Sequence, residues 1–92
     1  MSVVIVGGNE CMVREYKNLC KEYNYKAKVF VKYTEALQKS IGSPDLMVLF
    51  TNTVSHKMIK TALSRIRHSD TAVARSHSSS ITALRAIMEE HS

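Results

Sequence analysis

Four short apolar runs, each followed by a stretch of helical periodicity, leave this chain few ways to fold. They are VVIV (3–6), KAKVFVK (26–32), DLMVLF (45–50) and TAVA (71–74). The first is β-branched throughout and bounded by Gly7 and Gly8; the third is the most apolar run in the chain. Neither sustains the apolar–polar alternation of a half-exposed strand, so both read as strands covered on two faces.

Between the runs the period changes to that of a helix. In residues 9–24, Val13, Tyr16, Leu19, Cys20 and Tyr23 recur on one side, with Asn9 as the expected N-cap. Residues 34–42 read as a short helix capped by Thr34 and stopped by Gly42 and Pro44. Within 51–68, Ile59, Ala62, Leu63 and Ile66 share a face and Ser55 is the expected cap. Residues 78–91 close the chain with Ile81, Leu84, Ile87 and Met88 inward and Ser78 or Ser79 as cap.

The order β-α-β-α-β-α-β-α predicts an α/β three-layer sandwich on a four-stranded parallel sheet, Rossmann-like in connectivity. Right-handed crossovers restrict the strand order. Order 2-1-3-4 centres the two most apolar strands and places the lysine-bearing KAKVFVK at an edge, where lysines discourage aggregation. The 92 residues, 45% hydrophobic and 23% charged, read as one globular domain over 1–92. Cys11 and Cys20 are too few for a disulfide framework and lie nine apart in a predicted helix, so no bond between them is expected. The apolar start is too short for a signal peptide and no run approaches membrane-spanning length, so the expectation is a cytoplasmic chain with no membrane association.

In a sheet of this order, ligands bind beyond the carboxyl ends of the strands, where the strand order reverses. Three polar stretches follow three strands: GGNECMVR, TNTVSH and RSHSSS. The fold would gather Gly7, Gly8, Asn9, Thr51, Asn52, Thr53, Ser55, His56, Arg75, His77, Ser78, Ser79 and Ser80 on one rim. Glycines after the first strand bring backbone N–H groups close to an oxyanion. Serines at a helix start add hydroxyls beside free N–H groups, and Arg75 adds bidentate contacts to a carboxylate or phosphate. A net charge of +5 suits a small anionic ligand. The expected function is therefore an anion-binding or regulatory module, with self-association, as a dimer, through exposed sheet edges.

Two other readings stay open. His56 and His77 are candidate ligands of a haem or metal cofactor, with Cys11 near the same rim, although a zinc site normally takes three or four protein ligands. The cluster Arg65, Arg67 and His68 keeps nucleic acid as a partner in view, without any RNP, KH or zinc-finger pattern. Catalysis is not expected: no G-x-S-x-G elbow is present and Glu10 is the sole acid near the rim.

The segments VVIVGGNECMVREY, PDLMVLFTNTVSHKMIKTAL and RSHSSSITAL together resemble the DUF2325 family of small bacterial proteins. The resemblance spans almost the entire chain and is most specific at Ser55, His56 and Lys57. It implies a Rossmann-like α/β fold, a link to haem or iron in some relatives, and functional weight on His56 and the His77–Ser80 stretch. Some relatives carry a cysteine just before the histidine of the last motif; this chain has Ser76 there.

Overall fold

The computed structural model describes residues 1–33, 35–67 and 70–91. β1 (Ser2–Val6), α1 (Val13–Glu22), β2 (Lys26–Phe30), α2 (Glu35–Ser40), β3 (Leu46–Phe50), α3 (His56–Arg65), β4 (Ala72–Ser76) and α4 (Ile81–His91) follow one another in strict alternation. All four strands are parallel, in the order β2-β1-β3-β4. This is the predicted order.

Alternating side chains of the central strands feed two separate cores. Val3, Ile5, Leu46, Val48 and Phe50 pack with Tyr16, Leu19 and Cys20 of α1 and Leu84, Ile87 and Met88 of α4. Val4, Val6, Met47 and Leu49 face the other way, against Leu37, Ile41, Met58, Ala62 and Ile66. Helices thus cover both faces of the sheet, giving three layers. With both faces covered, every position in β3 is buried, so a run of large apolar residues is the sequence such a strand requires. Each fully buried side chain of this size stabilises by about 1.5–3 kcal/mol.

The edge strands alternate instead. Lys26 and Lys28 are exposed in β2, as are Val73 and Arg75 in β4. Ala72 and Ala74 pack on the α1/α4 core, which puts Val73 and Arg75 on the α3 side of the sheet.

Several boundaries differ from expectation. The first helix opens with a 3₁₀ turn, Glu10–Met12, and the Asn9 side chain accepts from the Cys11 N–H at 2.9 Å, capping that turn and not α1 itself. β2 ends at Phe30, leaving Val31 and Lys32 outside it. The expected cap Thr34 lies outside the described residues. β4 starts at Ala72 and runs through Ser76, because β3 still offers Leu49 and Phe50 as pairing partners for Arg75 and Ser76. α4 starts at Ile81, and its cap is Ser80, not Ser78 or Ser79: the Ser80 Oγ accepts from the Ala83 N–H at 3.1 Å. Ser55 caps α3 as expected, accepting from the Met58 N–H at 3.3 Å. Both cysteines are free, Cys11 exposed and Cys20 buried. Among the described residues no helix is long and apolar enough to cross a membrane.

Candidate functional site

The strand order reverses between β1 and β3, so the loops leaving these strands meet at the carboxyl end of the sheet. Gly7 and Gly8 both adopt positive φ, 98° and 97°. A Cβ on Gly7 would run into Val54, and one on Gly8 would lie 2.7 Å from Cε2 of Tyr16. Their N–H groups are used inside the fold. That of Gly7 donates to the Phe30 carbonyl at 2.8 Å, and that of Gly8 to Thr53 Oγ1 at 2.7 Å. Close approach of backbone here serves the contact between two loops.

Tyr16 ties a third loop to this pair. It is fully buried, with its ring 5.4 Å from that of Phe50. Its hydroxyl accepts from the Asn9 N–H at 3.2 Å and donates to the Ser79 carbonyl at 2.5 Å. Burying a phenol requires such partners, and these two come from the loops after β1 and β4. Thr53 Oγ1 also donates to the Phe50 carbonyl at 3.1 Å. Thr51 Oγ1 lies 3.2 Å from both the Ser76 carbonyl and His77 Nδ1. The three loops are therefore stitched together by one phenol and two threonine hydroxyls.

The serines form a local relay. The Ser78 N–H donates to Ser76 Oγ, which donates back to the Ser78 carbonyl at 2.7 Å. Ser80 N–H donates to Ser78 Oγ, and Ser78 Oγ to Ser80 Oγ at 3.1 Å. Ser79 contributes its carbonyl to Tyr16. These hydroxyls shape the turn into α4.

Other predicted site residues are left outward. His56, Asn52, Arg75 and His77 are exposed. No carboxylate pairs with Arg75 among the described residues. Arg75 projects on the α3 side, near the sheet end where α3 begins, whereas Ser78–Ser80 lead into α4 on the opposite face. The predicted cluster thus divides between two faces, with Thr51 bridging to His77. At the start of α3, the Met58 and Ile59 N–H groups are taken by Ser55. Those of His56 and Lys57 have no acceptor among the described residues, as expected for a first turn.

A fourth loop joins the rim. Lys32, after β2, bridges Glu10 at 2.8 Å, and this hydrogen bond and the adjacent charge raise the pKa of its ammonium. Lys57 Nζ sits 4.4 Å from the centroid of the Tyr33 ring, a cation–π contact from α3 to the loop after β2. Lys32 falls within the predicted strand KAKVFVK, so this loop is absent from the predicted rim. The rule that parallel strands deliver all their carboxyl ends to one rim would have found it.

The rim is open, with no pocket among the described residues. Nor do the described residues hold a group of three or more His, Cys, Asp or Glu suited to a metal ion. Chemically, the arrangement offers exposed cationic side chains on a backbone whose loops are held in place. Comparison with curated proteins and with solved structures yields no match. The segments that build the rim, with the strands and helices behind them, fall within one family model: over residues 2–91 the chain matches, and belongs to, the bacterial family described as DUF2325, uncharacterized protein conserved in bacteria.

Proposed function

We propose that this protein is a binding module for an anionic ligand carrying a phosphate or carboxylate, held at the carboxyl rim of a Rossmann-like sheet. The observation supporting this most is Arg75, an exposed guanidinium without a carboxylate partner among the described residues, beside loops fixed to one another by Tyr16, Thr51 and Thr53. The ligand would lie between Arg75 and the start of α3. There, the first-turn N–H groups of His56 and Lys57 and the Lys57 charge all favour an anion. His77, Asn52 and the outer serines would flank it. Gly7, Gly8 and Asn9 act as supports in this reading, since their N–H groups are engaged. An open rim suits the phosphate end of a larger molecule better than an enclosed metabolite.

Thermal unfolding tests this directly. Inorganic phosphate, a nucleoside diphosphate and citrate are compared with chloride at matched ionic strength. One hundred-fold excess over Kd contributes about 2.7 kcal/mol, which raises Tm by roughly 10 °C or more in a domain this small. The rise should be lost in Arg75→Ala and reduced in His56→Ala. An equal rise with chloride, or in Arg75→Ala, would remove the proposal. An absorbance scan from 300 to 700 nm with metal analysis covers the haem or metal alternative. A Soret band or stoichiometric metal, lost in His56→Ala or His77→Ala, would replace the anion reading. Salt-sensitive gel shifts with DNA or RNA would instead assign the charge to nucleic acid.

A further inference from the structure

The two edges of the sheet are not alike. On β2 the exposed alternate positions are Lys26 and Lys28, so another strand meets lysine side chains along that edge. β4 carries no lysine and no proline. Its Ala72 N–H donates to the Asp45 carbonyl, and its Ser76 carbonyl accepts from the Thr51 N–H. The parallel ladder therefore uses the backbone of Ala72, Ala74 and Ser76 toward β3 and turns that of Val73 and Arg75 outward.

Apolar side chains border this edge on both faces. Val73 is 39% exposed, the only strand residue among the exposed large hydrophobics of the described residues. On its side of the sheet, Ile59 and Leu63 are half-buried on the flank of α3 turned away from Lys57 and Tyr33, hence toward β4. On the other face, α4 directs Arg85 toward Glu22 of α1. Its opposite flank, on the β4 side, carries Ala83 and Glu90, with Ala86 beside them toward the outer face. Ala86 is exposed, with Glu89 and Glu90 one turn further on.

We propose that the β4 edge docks a second copy of this chain, strand antiparallel to strand about a two-fold axis at Ala74, making one continuous eight-stranded sheet. In that register all five residues of each β4 overlap. Val73 of each copy exchanges both backbone bonds with Arg75 of the other, matching every outward group within the strand. Ala74 meets Ala74 in a non-hydrogen-bonded pair, where side chains come closest and alanine fits. The two arginines are kept apart; a shift that set Arg75 against Arg75 would oppose like charges directly. The same axis runs the two α4 helices antiparallel, so Glu90 of each approaches the electropositive N-terminus of the other. The flanks matter for size. Five strand residues alone fall short of the roughly 800 Å² per partner of a stable interface, and the Ala83–Ala86 and Ile59–Leu63–Val73 surfaces extend the contact.

Sedimentation velocity from 1 to 200 μM, with three variants, decides the matter. The wild type should sediment as a concentration-dependent dimer. Val73→Pro removes only an outward N–H, which an edge strand tolerates, and should be a folded monomer by circular dichroism. If Val73→Pro unfolds, Ala86→Glu, on an exposed helix position, gives the same readout: at least a tenfold weaker dimer. Ala74→Cys in a Cys11→Ser background should oxidise to a covalent dimer at 5 μM, while Val73→Cys should do so at least tenfold more slowly. A wild type monomeric at 200 μM, a dimer unaffected by both Val73→Pro and Ala86→Glu, or equal cross-linking of the two cysteine variants would overturn the proposal. Capture of a peptide strand by a monomeric wild type would assign the edge to a different partner, and would overturn it too. None of these readouts involves an anion, so the outcome is independent of the rim.

Discussion

Tyr16 shows how much organisation one side chain carries. The helical spacing of α1 predicts it as a core residue, and its ring does lie in the core beside Phe50. Periodicity carries no information about the hydroxyl, whose partners Asn9 and Ser79 are distant in sequence and meet only after the sheet forms. Tyr16→Phe keeps the ring and removes both bonds, leaving the part-buried Ser79 carbonyl and the Asn9 N–H without them. The expected cost is about 1–3 kcal/mol, with the fold retained. Hydrogen exchange at the Asn9 amide should accelerate at least tenfold, and unchanged protection there would show that the phenol does not hold the loop. Cys20 illustrates a titration set by burial. Desolvation pushes its thiol from the usual 9.0 up to about 11. Between these values the unfolded thiol loses its proton while the folded one keeps it, so the unfolded state binds fewer protons and stability falls as pH rises. The stability that Cys20 contributes, measured as wild type minus Cys20→Ala by urea unfolding, should be constant below pH 9. It should shrink by roughly 2–3 kcal/mol toward pH 11. In native protein at pH 8, a thiol reagent should label Cys11 and spare Cys20 until denaturant is added.

Element boundaries separate what local sequence dictates from what tertiary pairing decides. Ser55 is legible as a cap because it is the one hydroxyl placed between a loop and an apolar helical period. The turn before α4 offers three consecutive serines, and local preference does not choose among them. The choice falls on Ser80 because Tyr16 holds the Ser79 carbonyl and Ser76 holds Ser78, fixing where the helix begins. Likewise the apolar pattern of β4 stops at Ala74, but the strand continues while β3 offers partners, which moves Arg75 from a loop onto the sheet. Ser80→Ala should therefore cost about 1 kcal/mol, the usual value of an N-cap, measured by urea unfolding. Ser78→Ala leaves the Ala83 N–H bonded to Ser80 and should cost less than half as much. Equal effects from the two variants would mean that the relay, not the cap, stabilises the helix start.

The arrangement of layers was the most legible feature, because only strands buried on both faces need runs such as VVIV and LMVLF, and only two runs in the chain have that character. The rim was legible in part. Its location follows from strand order, and the loops after β1, β3 and β4 do converge. Its division between the α3 and α4 faces depends on the alternation of β4, whose end is set by pairing with β3 and not by its own apolar pattern. The contribution of Lys32 and Tyr33 was hidden because Lys32 continues the alternation of β2 beyond its last paired residue. The same layering has an energetic consequence. Ile87 belongs to the core shared with α1, and Ile66 to the core on the opposite side of the sheet. Among the described residues they fall in separate clusters on either side of β1 and β3, whose side chains point to one core or the other. Ile87→Val and Ile66→Val should each cost about 0.5–1.5 kcal/mol. Because independent sites add, the double variant should equal the sum of the two to within about 0.5 kcal/mol. Tyr16→Phe combined with Ser80→Ala is the contrasting pair, since both act on the short segment that enters α4. Here the double variant should depart from the sum by more than that margin. If the two isoleucine substitutions couple as strongly as this second pair, the sheet transmits strain between its faces, and the two cores act as one.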